Sequence, residues 1–150
     1  MSERLRVELT MDQSWRYASG AAMERFCEGL RQGRLEAIQC DSCDRRYLPP
    51  RPFCGDCRAR LTRWVPVQDV GRLEAWSVVH LPILDGRSGE MRPSPYGMGL
   101  IRLDGADTTL NHFLADCDPA QLEIGLRVRA VWRPLLRGSM DDILHFEVLR

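Results

Sequence analysis

The chain has 150 residues, of which 44% are hydrophobic and 28% charged. This mix excludes a disordered tail, a collagen-like fibre and a coiled-coil rod. The 21 basic and 21 acidic side chains cancel, which argues against neutralising nucleic-acid phosphates as the main task. No apolar run reaches the ~18 residues of a membrane span, and the first residues lack the apolar core of a secretory signal. A cytoplasmic location away from membranes is expected. Every cation is arginine; there is no lysine. That excludes a Schiff base, a pyridoxal-phosphate anchor and a phosphate-loop lysine. Arginine still suits bidentate recognition of phosphate and carboxylate.

Residues 12 to 32 are predicted to form a helix. Asp12 is its expected N-cap. Trp15, Ala18, Ala22, Phe26 and Leu30 recur at helical spacing and form one apolar stripe. Gly20 and Gly29 weaken this helix, so it depends on packing against another surface, and Gln32-Gly33 ends it. Residues 35 to 64 are rich in Arg, Pro and Asp and poor in aliphatics. They cannot bury enough apolar surface to fold unaided.

Residues 65 to 150 read as all-β. Runs at 72–81, 97–103 and 108–114 supply three strands, with Asp104-Gly105 as a hairpin signal. Asp118-Pro119 opens a helical turn. Leu126, Val128, Ala130 and Trp132 share one face of a fourth strand, and Leu144, Phe146 and Val148 one face of a fifth. Five strands with a short helix between the third and fourth suggest a Greek-key barrel of the OB type. The stretch from Asp85 to Pro95 reads as a mobile loop. The expected division is therefore 1–34, extension and amphipathic helix; 35–64, metal ribbon; and 65–150, barrel.

Chemistry concentrates in the cysteines. Cys40-Asp41-Ser42-Cys43 and Cys54-Gly55-Asp56-Cys57 are separated by ten residues. Two residues between thiolates let one tight turn aim both sulfurs at one ion, and two such turns complete a tetrahedral shell suited to structural zinc. Iron accepts the same ligands. Disulfides, a redox pair or a site without metal are the alternatives. Asp44 and Arg58 stand where glycine would ease each turn, and arginine tolerates the left-handed conformation less well than aspartate. Four protein ligands leave no open position, so the metal is not expected to be catalytic.

Nothing else assembles an active site. Cys27 and Cys117 have no neighbouring base in sequence, and His80, His112 and His145 lie apart in strands. Gly86-Arg87-Ser88-Gly89 is not the nucleophile elbow of hydrolases.

The combination resembles a known family. A helix ending Phe26-Cys27-Glu28-Gly29-Leu30-Arg31-Gln32-Gly33-Arg34-Leu35 leads to Gln39-Cys40 and the paired cysteines. Pro49-Pro50-Arg51 lies between the pairs, Leu61-Thr62-Arg63-Trp64 follows, and Pro95-Tyr96-Gly97-Met98-Gly99-Leu100-Ile101-Arg102-Leu103-Asp104 lies in the barrel. This pattern, across about residues 20 to 150, looks like the DUF35 family, a rubredoxin-like zinc ribbon fused to an OB-fold. Asp44, Arg58 and the extension before residue 12 depart from it. The resemblance implies an accessory subunit of acyl-CoA enzymes, accompanying a thiolase-fold protein (thiolase, aldolase or ketosynthase) or a MaoC-type hydratase. It implies that the ribbon and helix dock on the partner and that the barrel helps to hold acyl-CoA or its acyl chain. Arg51, Arg87 and Arg92, beside loops, are the candidate phosphate contacts. The competing reading is a nucleic-acid module, because Arg45, Arg46, Arg51, Arg58, Arg60 and Arg63 crowd the ribbon. Zero net charge and strands without an evident row of exposed aromatics count against it.

Overall fold

The computed structural model describes residues 18–85 and 88–149. Asp12, Trp15 and Arg87 lie outside the described residues. Among these residues the fold is mostly β, with one α-helix.

Helix α1 spans Ala21–Arg31. It does not run through Ala18 and Gly20 as the stripe predicted. Gly20 is its N-cap, at φ 78°, a left-handed conformation open to glycine without steric cost. At the other end Gly33, at φ 68°, closes the helix. Its N–H bonds the Leu30 carbonyl at 2.9 Å, and the Arg34 N–H bonds that of Gly29 at 2.9 Å, the Schellman arrangement.

The ribbon follows as three antiparallel strands, β1 (Glu36–Gln39), β2 (Arg46–Tyr47) and β3 (Arg63–Pro66), in the order β2-β1-β3. Then come β4 (Val70–Val79), β5 (Ile83–Leu84), β6 (Met91–Arg92), β7 (Tyr96–Leu103), β8 (Leu110–Leu114), β9 (Arg127–Trp132) and β10 (Ile143–Val148). Five of them close a barrel in the order β10-β8-β7-β4-β9. A 3-10 turn, Pro119–Gln121, capped by the Asp118 carboxylate, sits between β8 and β9. This is the OB arrangement. A Cβ at Gly97 of β7 would collide with the Asp116 carbonyl, so only glycine lets the backbones approach there.

Two expectations need correction. The stretch from Asp85 to Pro95 is not simply a loop: β5 and β6 pair across it, and the Asp85 N–H bonds the Glu90 carbonyl at 2.8 Å. In β10 the inward residues are Ile143 and Phe146, each 1% exposed, while Leu144 is only half-buried. A register shift between Ile143 and His145 breaks the period of two.

The helix, ribbon and barrel share one core. Phe26 and Leu30 of α1 and Leu35, Ala37 and Leu48 of the ribbon pack in one cluster with Leu103, Val128 and Phe146 of the barrel. Phe26 is fully buried. Phe26 and Leu30 of the stripe therefore pack onto the chain itself, while Ala18 is exposed. Phe26→Ala is expected to destabilise the fold by about 3–5 kcal/mol, read as a lower urea midpoint.

Candidate metal centre and ligand-binding face

The two knuckles are built alike. The Asp44 N–H bonds the Cys40 carbonyl at 2.9 Å and the Arg58 N–H that of Cys54 at 3.1 Å. Each turn closes with the backbone of Asp44 or Arg58 at φ 58°, the left-handed conformation that the cysteine spacing demands. Asp44 is anchored there: its carboxylate accepts from Gln39 Nε2 at 2.8 Å and Arg63 Nη2 at 3.0 Å. Arg58 has no acidic partner among the described residues.

The sulfurs of Cys40, Cys43, Cys54 and Cys57 lie within 4.8 Å of one another. Cys40 and Cys54 are buried; Cys43 and Cys57 are exposed. Cys43 Sγ and Cys54 Sγ stand 3.7 Å apart. That is far beyond the ~2.05 Å of a disulfide. It matches the edge, about 3.8 Å, of a tetrahedron with metal–sulfur bonds of ~2.3 Å. Cys54 Sγ accepts from the Cys57 N–H at 3.4 Å, and it lies 3.2 Å from the Tyr47 hydroxyl. These two groups, the Cys57 N–H first, lower the Cys54 thiol to about 6. The neighbouring Cys43 sulfur, and then burial, push Cys57 up to about 12. Four thiols this close cannot all ionise without a cation among them. An all-sulfur, tetrahedral set fits a structural metal and leaves no position for substrate.

The remaining nucleophiles and bases stay apart. Cys27, half-buried on α1, has its thiol raised by burial and by Asp142. His112 is buried, with Nε2 3.2 Å from the Met140 carbonyl and its ring edge-on to Phe113 and Phe146. Burial lowers the pKa of His112, and that of His145 as well. His80 is exposed. Among the described residues no thiol or hydroxyl is hydrogen-bonded to a histidine.

The candidate phosphate contacts fall in different places. Arg51 lies on the ribbon, its guanidinium 4.7 Å from the centre of the Tyr47 ring. Arg92 lies on β6, held by Asp85 at 3.3 Å and stacked 3.8 Å over Phe113. Beside Arg92 is a feature that sequence reasoning missed. Trp76, Val79, Ile83, Tyr96, Met98 and Leu100 line an open cavity of about 480 Å³ on the outer barrel face. Tyr96 connects the two, since its ring meets Phe113 edge-on at 5.6 Å. The signal was present in β7. Tyr96, Met98 and Leu100 alternate with Gly97, Gly99 and Ile101, so a strand with glycines facing inward carries apolar groups outward as well.

Residues 28–62 match the family model of the ChsH2 rubredoxin-like zinc ribbon domain, and residues 64–133 that of the ChsH2 C-terminal OB-fold domain. The chain belongs to the DUF35 family. A DUF35 domain-containing scaffold protein of Methanocaldococcus jannaschii is 29% identical over 137 residues, covering 89% of this chain and 84% of that protein. One from Methanothermobacter thermautotrophicus is 27% identical over 115 residues, 75% of this chain and 81% of that protein. Among solved structures, the Ltp2-ChsH2(DUF35) aldolase matches with a TM-score of 0.63 and 26% identity, covering 89% of this chain and 98% of that chain. A DUF35 protein of unknown function from Sulfolobus solfataricus shares the fold, with a TM-score of 0.57 and 19% identity, over 86% of this chain and 84% of that one.

Within this DUF35 ribbon, Arg58 is the strained knuckle residue. Arg58→Gly should raise the melting temperature, through relief of about 1 kcal/mol of left-handed strain. Asp44→Gly should gain less or lose stability, because Asp44 also anchors Gln39 and Arg63. Calorimetry of both metal-loaded variants measures the difference.

Proposed function

We propose that this DUF35 chain is an accessory, non-catalytic subunit that docks on an acyl-CoA enzyme, a thiolase-fold protein before a MaoC-type hydratase, and helps to hold the acyl-CoA. The observation that carries the reading is the likeness to the Ltp2-ChsH2(DUF35) aldolase over 98% of that chain. The scaffold naming of the archaeal relatives supports it. So does the scatter of thiols and histidines, which offers no nucleophile–base pair among the described residues.

In this reading residues 1–34 and 35–64 form the docking elements and residues 65–150 the ligand-holding barrel. Zinc fills the site of Cys40, Cys43, Cys54 and Cys57 and supplies structure alone; iron is the substitute. Arg51, Arg87 and Arg92 are the proposed contacts of the CoA phosphates, with Arg51 on the ribbon separate from Arg92 on the barrel. Arg92 is the best supported of the three, because Phe113 and Tyr96 join it to the apolar cavity, which has room for an acyl chain. No described helix is long and apolar enough to cross a membrane, and the cytoplasm is the proposed location.

The reading makes three predictions. Metal analysis should find about one zinc per chain, and Cys54→Ser should release it and open residues 35–64 to proteolysis; a metal-free ribbon that stays protected would remove the site. Co-expressed with a thiolase-fold subunit, the chain should co-purify with it and raise its activity, while alone it turns over no CoA thioester. In calorimetry of that complex with an acyl-CoA, Arg92→Ala should weaken binding by roughly 1.5–3 kcal/mol if a charged hydrogen bond is lost.

A further inference from the structure

We propose that Tyr47 is a positioning residue of the metal centre: its hydroxyl donates a hydrogen bond to the Cys54 sulfur and braces the second knuckle against the strand that leaves the first. The inference rests on the reading that a metal fills the four-cysteine site, and not on the accessory role. Strand β2 follows the first knuckle and pairs with β1, with Tyr47 opposite Ile38. The Tyr47 ring, 2% exposed, packs with Ile38, Cys40, Cys54 and Leu61. Its hydroxyl crosses to the second knuckle, 2.9 Å from the Gly55 nitrogen and 3.2 Å from Cys54 Sγ. Phenylalanine would fill nearly the same space, so the hydroxyl adds these two bonds alone.

Counting hydrogens fixes the direction of each bond. The Gly55 N–H donates, so the Tyr47 oxygen accepts from it. The hydroxyl keeps one hydrogen to give, and Cys54 Sγ is its other neighbour. A cysteine that binds a metal has lost its proton, and its sulfur can only accept. A hydrogen bond to a charged acceptor, shielded from water, is stronger than a neutral one. Arg51 and Arg45, 4.7 and 5.7 Å from the ring centre, add positive charge beside the donor. Cys54 is thus held from two sides, by the Tyr47 hydroxyl and by the Cys57 N–H at 3.4 Å. Among the described residues no other hydroxyl is bonded to one of the four sulfurs. Arg45 and Asp56, 2.7 Å apart, also tie the knuckles, but both are exposed, and exposed pairs hold little. A donor on a ligand sulfur has two effects. It keeps the sulfur aimed at the metal, which raises affinity. It also draws negative charge from the sulfur, which favours the reduced form of a redox metal such as iron.

The test uses the full chain, loaded with zinc or with iron. Tyr47→Phe should bind zinc about tenfold or more weakly in competition with a chelator. In the iron form it should lower the reduction potential and move the sulfur-to-iron charge-transfer bands to longer wavelength. A fluorinated tyrosine at position 47, a stronger donor, should move potential and bands the other way. A Tyr47→Phe chain with unchanged affinity, potential and bands would overturn the proposal. So would weaker zinc binding with unmoved potential and bands, because the hydroxyl would then act through Gly55 alone. If Tyr47→Phe does not fold, the fluorinated chain decides, and an unmoved potential with unmoved bands overturns the role. A wild-type chain that takes up neither metal loses the metal reading itself. A metal-loaded wild type with an indifferent Tyr47→Phe keeps that reading and loses only this role.

Discussion

The structure depends on a core that no segment completes alone. The ribbon has a small cluster of its own, Ile38, Cys40, Tyr47, Cys54 and Leu61. Its other apolar residues, Leu35, Ala37 and Leu48, face the barrel and α1. Polar bonds lock the same junction. The Arg46 N–H bonds the Asp107 carboxylate at 2.8 Å, and the Asp107 N–H returns to the Arg46 carbonyl at 2.9 Å. Thr108 Oγ1 accepts from the Leu48 N–H at 2.8 Å and donates to the Leu48 carbonyl at 2.9 Å. Severing the Thr108 bonds would leave the backbone groups of buried Leu48 without partners. The ribbon is thus seated on the barrel rather than tethered to it.

The helix is held by the same logic from the other side. Asp142 is fully buried. Its carboxylate accepts from the backbone N–H groups of Arg137, Gly138 and Ser139 at 2.6–3.1 Å. That fixes a tight turn against α1, where a Cβ at Gly138 would stand 2.9 Å from the Cys27 carbonyl. An anion bound by several N–H groups can stay buried where an unpaired one could not. The cost of burying a carboxylate is offset by a turn that seats the helix.

Rigid seating gives the two faces separate characters. On the ribbon, the arginines surround a sulfur cluster whose four thiolates, with a divalent metal, would carry a negative charge; Arg45 and Arg51 lie 5.7 and 4.7 Å from the centre of the Tyr47 ring. Tyr47 passes the contact inward through its hydroxyl beside Cys54 Sγ. On the barrel, outward Trp76 and Val79 of β4 and Tyr96, Met98 and Leu100 of β7 line open space. Leu81 and Leu84 near it are 71% and 64% exposed, a concentration of apolar surface beyond isolated exposed residues. Among the described residues, the ribbon thus presents exposed arginines and the barrel an open apolar surface.

Local features of this protein were legible in its sequence. The cysteine spacing set both knuckles and required the left-handed backbone at Asp44 and Arg58, because three-residue geometry is decided within one turn. Composition located the runs of β4, β7 and β8, and alternation located β9, whose pleat repeats its burial every second residue; in β10 it found the strand but not its inward face. Features that depend on remote neighbours were decided by the tertiary structure. The bulge that turns Ile143 inward follows from pairing with β9, and the hairpin of β5 and β6 from strands that must meet across their own turn. The helix stripe announced that α1 would be buried, but only the assembled core shows that ribbon and barrel bury it. Arg51 and Arg92 looked equivalent as loop arginines, yet one stacks on a ribbon tyrosine and the other on a barrel phenylalanine. Sequence carries what the chain does to its nearest few residues; the partners that distant segments supply exist only once burial has brought them together.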